Sequence, residues 1–139
     1  MGMVYTEITL KNLSDIALAS RGYVKPEEVR IETVTAVADT GSMYLVITEE
    51  LRQKLGLDIV KERTVNIANG QQIIGYITDA VEVRWKNRFT TVQALVIPGA
   101  QEVLFGVIPM GAMDLMVNPV TQEVVGVHGD KEEFYVLLT

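Results

Sequence analysis

Val34-Thr35-Ala36-Val37-Ala38-Asp39-Thr40-Gly41-Ser42 is the stretch on which the reading of this chain turns. A strongly β-prone run ends on one acid, and a small hydroxyl residue and a glycine follow at once. That order suits a carboxylate carried to the end of a strand and turned into a cleft. Gly41 permits a tight turn and a close backbone approach that a side chain would block.

Outward from this stretch, the chain reads as short strands. Val4, Thr6, Ile8 and Leu10 alternate with Tyr5, Glu7 and Thr9, the period of a half-buried strand. Residues 12–22 fit either a loop or a short helix capped at Ser14-Asp15. Pro26-Glu27-Glu28 marks a turn, after which Val29, Ile31 and the run from Thr33 to Ala38 form the strand that delivers Asp39. Tyr44 to Ile47 is a short apolar strand. Thr48 can cap a helix from Glu49 to Leu55 that Gly56 ends, with acids in its first turn and bases near its end. Arg63 to Ile77 alternates around Ala68-Asn69-Gly70-Gln71, and Asn-Gly predicts a tight, projecting hairpin. Ala80 to Trp85 and Phe89 to Ile97 form a second hairpin across Lys86-Asn87-Arg88, before Pro98-Gly99-Ala100 breaks the sheet. Val103 to Phe105 is a strand ending at Gly106, and Pro109 to Leu115 makes a short helix. Met116 to Asn118 pairs with Glu123 to Val127, and Phe134 to Leu138 supplies a last strand. Many short strands against one or two short helices predict an all-β domain.

At 139 residues the chain fits a single domain, 1–139, with a real core. It has no cysteine and one histidine, His128, so a disulfide framework, a thiolate metal site and an imidazole-based triad all lack material. No cofactor or metal is expected. The net charge of -6 repels phosphate backbones and anionic membranes, so neither nucleic acid nor a membrane is an expected partner. Without an export signal or a long apolar run, the expectation is a soluble, cytoplasmic protein, in which Asn12-Leu13-Ser14 is a chance glycosylation match.

Hydrolysis of a peptide bond by carboxylates needs one ionised group to take a proton from water and one protonated group to give a proton to the carbonyl oxygen. Two carboxylates held within a few ångströms cannot both ionise cheaply, so the pair keeps one proton and supplies both states. This chain offers one acid in such a setting. Chemistry of this kind would therefore require a symmetric homodimer in which Asp39 of each chain meets at the two-fold axis.

Three ordered features resemble the retropepsin-like aspartic peptidases, over about residues 31–118. Asp39-Thr40-Gly41-Ser42 matches the signature; the resemblance implies that Asp39 is the catalytic carboxylate, that Thr40 bonds across the dimer axis and that Gly41 lines the cleft. The hairpin from Val65 to Tyr76 matches the flap that closes over bound peptide. Leu104-Phe105-Gly106 matches the element beneath the catalytic turn. What the resemblance implies is an all-β barrel, a homodimer, and a peptide or protein substrate held by Ser42, Met43, Ala68, Asn69, Gly70, Gln71, Pro98, Gly99 and Ala100. A rival reading is an inactive dimerisation or peptide-binding module on the same fold.

The chain also departs from the viral pattern. Where viral members carry a pairing acid and arginine, it has Met43 and Val107, an apolar replacement that costs little. The extension 119–139 reaches past the usual viral end and is expected to reinforce the interface or cover a sheet edge. Ser42 is expected to donate its hydroxyl hydrogen to the ionised carboxylate, which favours the charged form and predicts an acidic activity optimum. Trp85 reads as a half-buried strand residue, His128 as a surface residue and Asp130-Lys131-Glu132-Glu133 as a solvated turn. The methionines read as gap-fillers, with Met110, Met113 and Met116 spaced to form a pliable apolar face near the cleft or interface.

Overall fold

The computed structural model describes residues 3–131 and 136–138. In chain order its elements are β1 (Tyr5–Asn12), α1 (Leu13–Ser20), a 3-10 turn (Pro26–Glu28), β2 (Ile31–Ala38), β3 (Leu45–Ile47), α2 (Glu49–Leu55), β4 (Ile59–Asn66), β5 (Gln72–Trp85), β6 (Arg88–Val96), β7 (Val103–Phe105), α3 (Val107–Ala112), β8 (Leu115–Asn118) and β9 (Glu123–Gly126). The main sheet runs β1-β2-β7-β3-β6-β5-β4, and an additional β1–β5 pairing closes all but β4 into a barrel. β8 and β9 form a separate two-stranded sheet.

Alternation in the sequence explains which faces are buried. Ile8 and Leu10 of β1, Val81 and Val83 of β5, and Ala94 and Val96 of β6 point inward, joined by the wholly apolar β3 and by Phe105 of β7. Leu51 and Leu55 on α2 and Met110 and Met113 around α3 plug the barrel. Among the described residues no helix is long and apolar enough to cross a membrane.

Several expectations need correction. There are three short α-helices rather than one or two. The first forms because Asn12, not Ser14 or Asp15, caps it: its side chain accepts from Asp15 N–H at 3.0 Å and donates to the Leu55 carbonyl at 2.8 Å. That buried role also leaves Asn12 without the surface exposure a glycosylation acceptor needs. β5 is one continuous strand serving both hairpins, and α3 starts at Val107 instead of Pro109. Val136 to Leu138 carry no strand, and the rest of the last strand expected from Phe134 lies outside the described residues, as do Glu132 and Glu133. Trp85 is buried rather than half-buried, its Nε1 donating to Thr6 Oγ1 at 2.8 Å. Met110 and Met113 belong to the core while Met116 is exposed, so the three share no single surface.

Asp15, released from capping, turns to Arg30, accepting from Nε at 2.8 Å, from Nη2 at 2.9 Å and from the backbone N–H at 3.0 Å. These bonds hold its carboxyl below the usual range, the side-chain bond to Arg30 being the largest cause. A depressed carboxylate stabilises the fold above its unfolded pKa, about 3.9, and loses that contribution as pH falls through the lower folded value. The guanidinium is half exposed, so screening limits the pair to about 1 kcal/mol. Asp15→Asn is accordingly expected to lower stability in urea unfolding at neutral pH by about that amount. The gap to wild type should close below pH of about 4.

Candidate active site

β2 and β7 run parallel, with Ala36 against Val103, Val37 against Leu104 and Ala38 against Phe105. Asp39 and Gly106 are therefore the next residues at the ends of neighbouring strands. The Asp39 N–H donates to the Phe105 carbonyl at 3.0 Å, which continues the ladder by one bond. A three-residue strand of Val-Leu-Phe thus sets where the acid emerges.

The chain then turns sharply. Ser42 N–H donates to the Asp39 carbonyl at 3.1 Å, and Gly41 N–H donates to Asp39 Oδ1 at 2.9 Å. The second bond orients the carboxylate. Gly41 does not need a left-handed backbone here, since its φ is not positive. Its contribution is space: a Cβ on Gly41 would sit 3.2 Å from Asp39 Oδ1, so the carboxylate would have to give way by a few tenths of an ångström. Asp39 is half-buried, and Thr40 and Gly41 are exposed. Among the described residues the Thr40 hydroxyl has no hydrogen-bond partner.

A second set of bonds clamps the turn from below. Val107 N–H donates to the Ser42 carbonyl and Ile108 N–H to the Met43 carbonyl, both at 2.9 Å. The approach works only because residue 106 is glycine: a Cβ there would collide with the carbonyl oxygens of Ser42 and Tyr44. Sequence reading placed Gly106 beneath the turn but missed Val107 and Ile108 as its clamps, because backbone donors leave no mark in residue type. Met43, Tyr44, Val107 and Ile108 are all exposed apolar residues around this clamp. Segments 40–48 and 103–113 contain no Asp, Glu, Lys or Arg, so Asp39 is the one charged group that this part of the chain presents.

The Ser42 hydroxyl is not where the sequence reading put it. It donates to the Tyr44 carbonyl at 3.3 Å and not to the carboxylate, so the argument for an acidic optimum loses its premise. A serine close to an acid in sequence also has a backbone carbonyl two residues on, and that local acceptor wins.

The remaining residues singled out from sequence lie on other turns. β4 and β5 pair from Ile59 against Thr78 to Asn66 against Gln72 and form the projecting hairpin. Its tip is closed by Gly70 N–H to the Ile67 carbonyl at 2.9 Å and Ile67 N–H to the Gln71 carbonyl at 3.0 Å. Gly70 has φ 84° while Asn69 does not share a positive φ, so the tip is a three-residue loop with glycine in the bulge position, not a two-residue turn. Asn69 Oδ1 accepts from Gln71 N–H at 2.9 Å and stiffens it. Pro98-Gly99-Ala100 forms a turn in which Ala100 N–H donates to the Ile97 carbonyl at 3.0 Å and Gly99 has φ 83°. Val96 pairs with Tyr76 and with Ile47, so this turn leaves from beside the hairpin base and leads into β7. Hydrogen bonds join 39–43 to 106–108; among the described residues none joins them to 68–71 or 98–100. His128 is exposed, with Nδ1 2.9 Å from both carboxylate oxygens of Asp114. No group of three or more His, Cys, Asp or Glu among the described residues could hold a metal ion.

A family model described as aspartyl protease matches residues 28–108, which contain both β2 with its terminal acid and β7 with its glycine. The chain belongs to this aspartyl protease family. Among solved structures, it is similar to the retroviral protease-like domain of Ddi1 from Leishmania major, with a TM-score of 0.52 and 15% identity. That match covers 86% of this chain and 84% of the other. No curated protein matches it. The aspartyl protease family model stops at Ile108, two residues into α3, so β8 and β9 lie beyond it, whereas the structural likeness extends over most of the chain.

Proposed function

We propose that this aspartyl protease family member is an endopeptidase that hydrolyses peptide bonds with a water activated by two Asp39 carboxylates, one from each chain of a homodimer. The observation that carries the reading is the Asp39 carboxylate, held in place by the ladder bond that Asp39 N–H donates to β7 and oriented by the Gly41 N–H. One of the pair takes a proton from water while the other gives a proton to the scissile carbonyl, and each transfer is worth about 10²–10⁴ in rate. The charge-free segment 40–48 that follows Asp39 and the segment 103–113 that pairs beside it supply no second carboxylate, which supports its coming from a second chain. The tip 68–71 would close over the peptide as a lid, with Ser42, Met43 and 98–100 as further walls.

Two features support self-assembly. The Thr40 hydroxyl is exposed and finds no partner within the described residues. The β8–β9 sheet pairs with no other strand among the described residues, and such a sheet is one a second copy would extend. Thr40→Ala is expected to weaken association several-fold in sedimentation while leaving the monomer's unfolding unchanged, the size expected for one lost hydrogen bond of about 1 kcal/mol.

The test is cleavage of a mixed peptide library at several pH values, above the association concentration, with and without a statin-type transition-state mimic. Cleavage blocked by the mimic supports the reading. A stable dimer that binds peptides and cleaves none would instead identify a binding module.

A further inference from the structure

Where β1 and β5 part, the barrel carries a cavity to which no residue of the Asp39 turn belongs. It has a volume of about 310 Å³ and is lined by Thr6, Glu7 and Thr9 of β1, Arg84 and Trp85 of β5, and Lys86 of the turn that follows. The β1–β5 ladder explains the opening. Its register pairs Thr9 with Arg84 and stops there; carried on by two residues, it would set Glu7 opposite Lys86. Instead β5 turns back into β6 through Lys86 and Asn87, while β1 continues along β2, where Glu7 pairs with Thr35.

Both cations of the cavity are held in place by aromatic rings. Arg84 lies over the Phe89 ring, 5.1 Å from its centroid, and its Nη2 donates to Glu82 Oε1 at 3.3 Å, which leaves other N–H groups of the fork for a ligand. Lys86 has φ 51°, a left-handed backbone uncommon for lysine, and its Nζ sits 4.6 Å from the centroid of the Trp85 ring. Thr6 Oγ1 accepts from Trp85 Nε1, a bond that leaves the hydroxyl hydrogen available to donate. Glu7 and Lys86 are opposite in sign and line one cavity, yet among the described residues neither forms an ion pair, with the other or with any third group.

We propose that this cavity is a binding site for a small zwitterion, a ligand carrying one carboxylate and one ammonium, as free α-amino acids and short peptides do. The ligand carboxylate lies between the Arg84 guanidinium and the Lys86 ammonium, and the ligand ammonium meets Glu7. Sign decides the class: Glu7 repels a bare anion, the two cations repel a bare amine, and only a ligand with both charges uses all three groups. Size sets the limit, because about 310 Å³ is at the small end of the roughly 300–1,000 Å³ of ligand sites. The site stands independently of the peptidase reading; only its occupation by peptide products rests on that reading.

The experiment titrates the full chain with L-alanine and with L-alanyl-L-alanine, following the fluorescence of Trp85, the single tryptophan, and the backbone amide shifts of 6–9 and 84–86 by NMR. N-acetyl-L-alanine lacks the ammonium and L-alanine amide lacks the carboxylate. Saturable shifts centred on these residues are expected with the zwitterions, and binding about fivefold or more weaker with either blocked ligand, in Glu7→Gln and in Lys86→Gln. Both side chains are exposed, so these variants keep the fold. Tighter binding of alanine assigns the site to free amino acids, and tighter binding of the dipeptide to peptide termini. No saturable shift with either zwitterion, N-acetyl-L-alanine binding as well as alanine, or wild-type affinity in both variants overturns the proposal. Binding is also read in the Asp39→Asn chain and is expected to be unchanged there, so failure of the peptidase reading is not mistaken for failure of this site.

Discussion

Asp39→Asn is expected to reduce turnover by about 10²–10⁴-fold or more, because asparagine can serve neither as the base for water nor as the acid for the carbonyl oxygen. The substitution is informative because it is structurally mild. The side chain is half-buried, the replacement has nearly the same shape, and an amide oxygen can accept the Gly41 N–H that the carboxylate accepts at 2.9 Å. The ladder bond from the Asp39 N–H to Phe105 involves only backbone. Thermal unfolding and sedimentation should therefore match wild type while cleavage is lost. A variant that cleaves at the wild-type rate would remove Asp39 from the chemistry.

The largest expected loss of stability comes from a residue that looked like part of a turn. Arg88 begins β6 and is 1% exposed. Its Nη1 donates to the carbonyls of Met113 and Asp114, both at 2.9 Å; its Nη2 donates to those of Gly129 and, at 3.2 Å, Lys131. Among the described residues the nearest carboxylate, that of Asp114, is 3.9 Å away, and Nε has no partner. Carbonyls thus do most of the work of solvating a buried cation, and the chain after α3 is folded round it. Gly126 has no room for a Cβ for the same reason, since one would strike the guanidinium and the Gly129 carbonyl. Arg88→Met keeps the apolar stem but leaves several carbonyls without their donor. We expect a loss of about 3–5 kcal/mol in urea unfolding, with Arg88→Lys recovering only part because an ammonium lacks the planar fork. A loss under 1 kcal/mol would mean that solvent replaces the guanidinium readily.

Much of this was legible in residue order. The run into Asp39, the glycines at 41 and 106, and the helix between Thr48 and Gly56 each carry a local physical signature. Thr48 Oγ1 accepts the Leu51 N–H at 3.1 Å and Gly56 has φ 64°, as cap chemistry requires. What was illegible depends on partners distant in sequence. Asn12 ends a strand and caps a helix at once, a double role that hid α1. Thr78-Asp79 reads as a break between strands because a bulge and a turn use similar residues, and only the hydroxyl bond to Ala94 distinguishes them. Arg88 in a Lys-Asn-Arg turn looks solvated until residues 113–131 close over it. Ser42 was assigned to the wrong acceptor because sequence proximity cannot rank a side-chain oxygen against a backbone one.

The central claim is that two Asp39 carboxylates from two chains make one site, and subunit mixing measures it most directly. Wild-type and Asp39→Asn chains are combined in varying ratio at constant total concentration, allowed to exchange, and assayed on a cleaved peptide. If both carboxylates are required, activity falls as the square of the wild-type fraction, to roughly a quarter at an equal mixture. Activity falling in simple proportion, to about half, would mean that each chain works with its own Asp39 alone and would contradict the account.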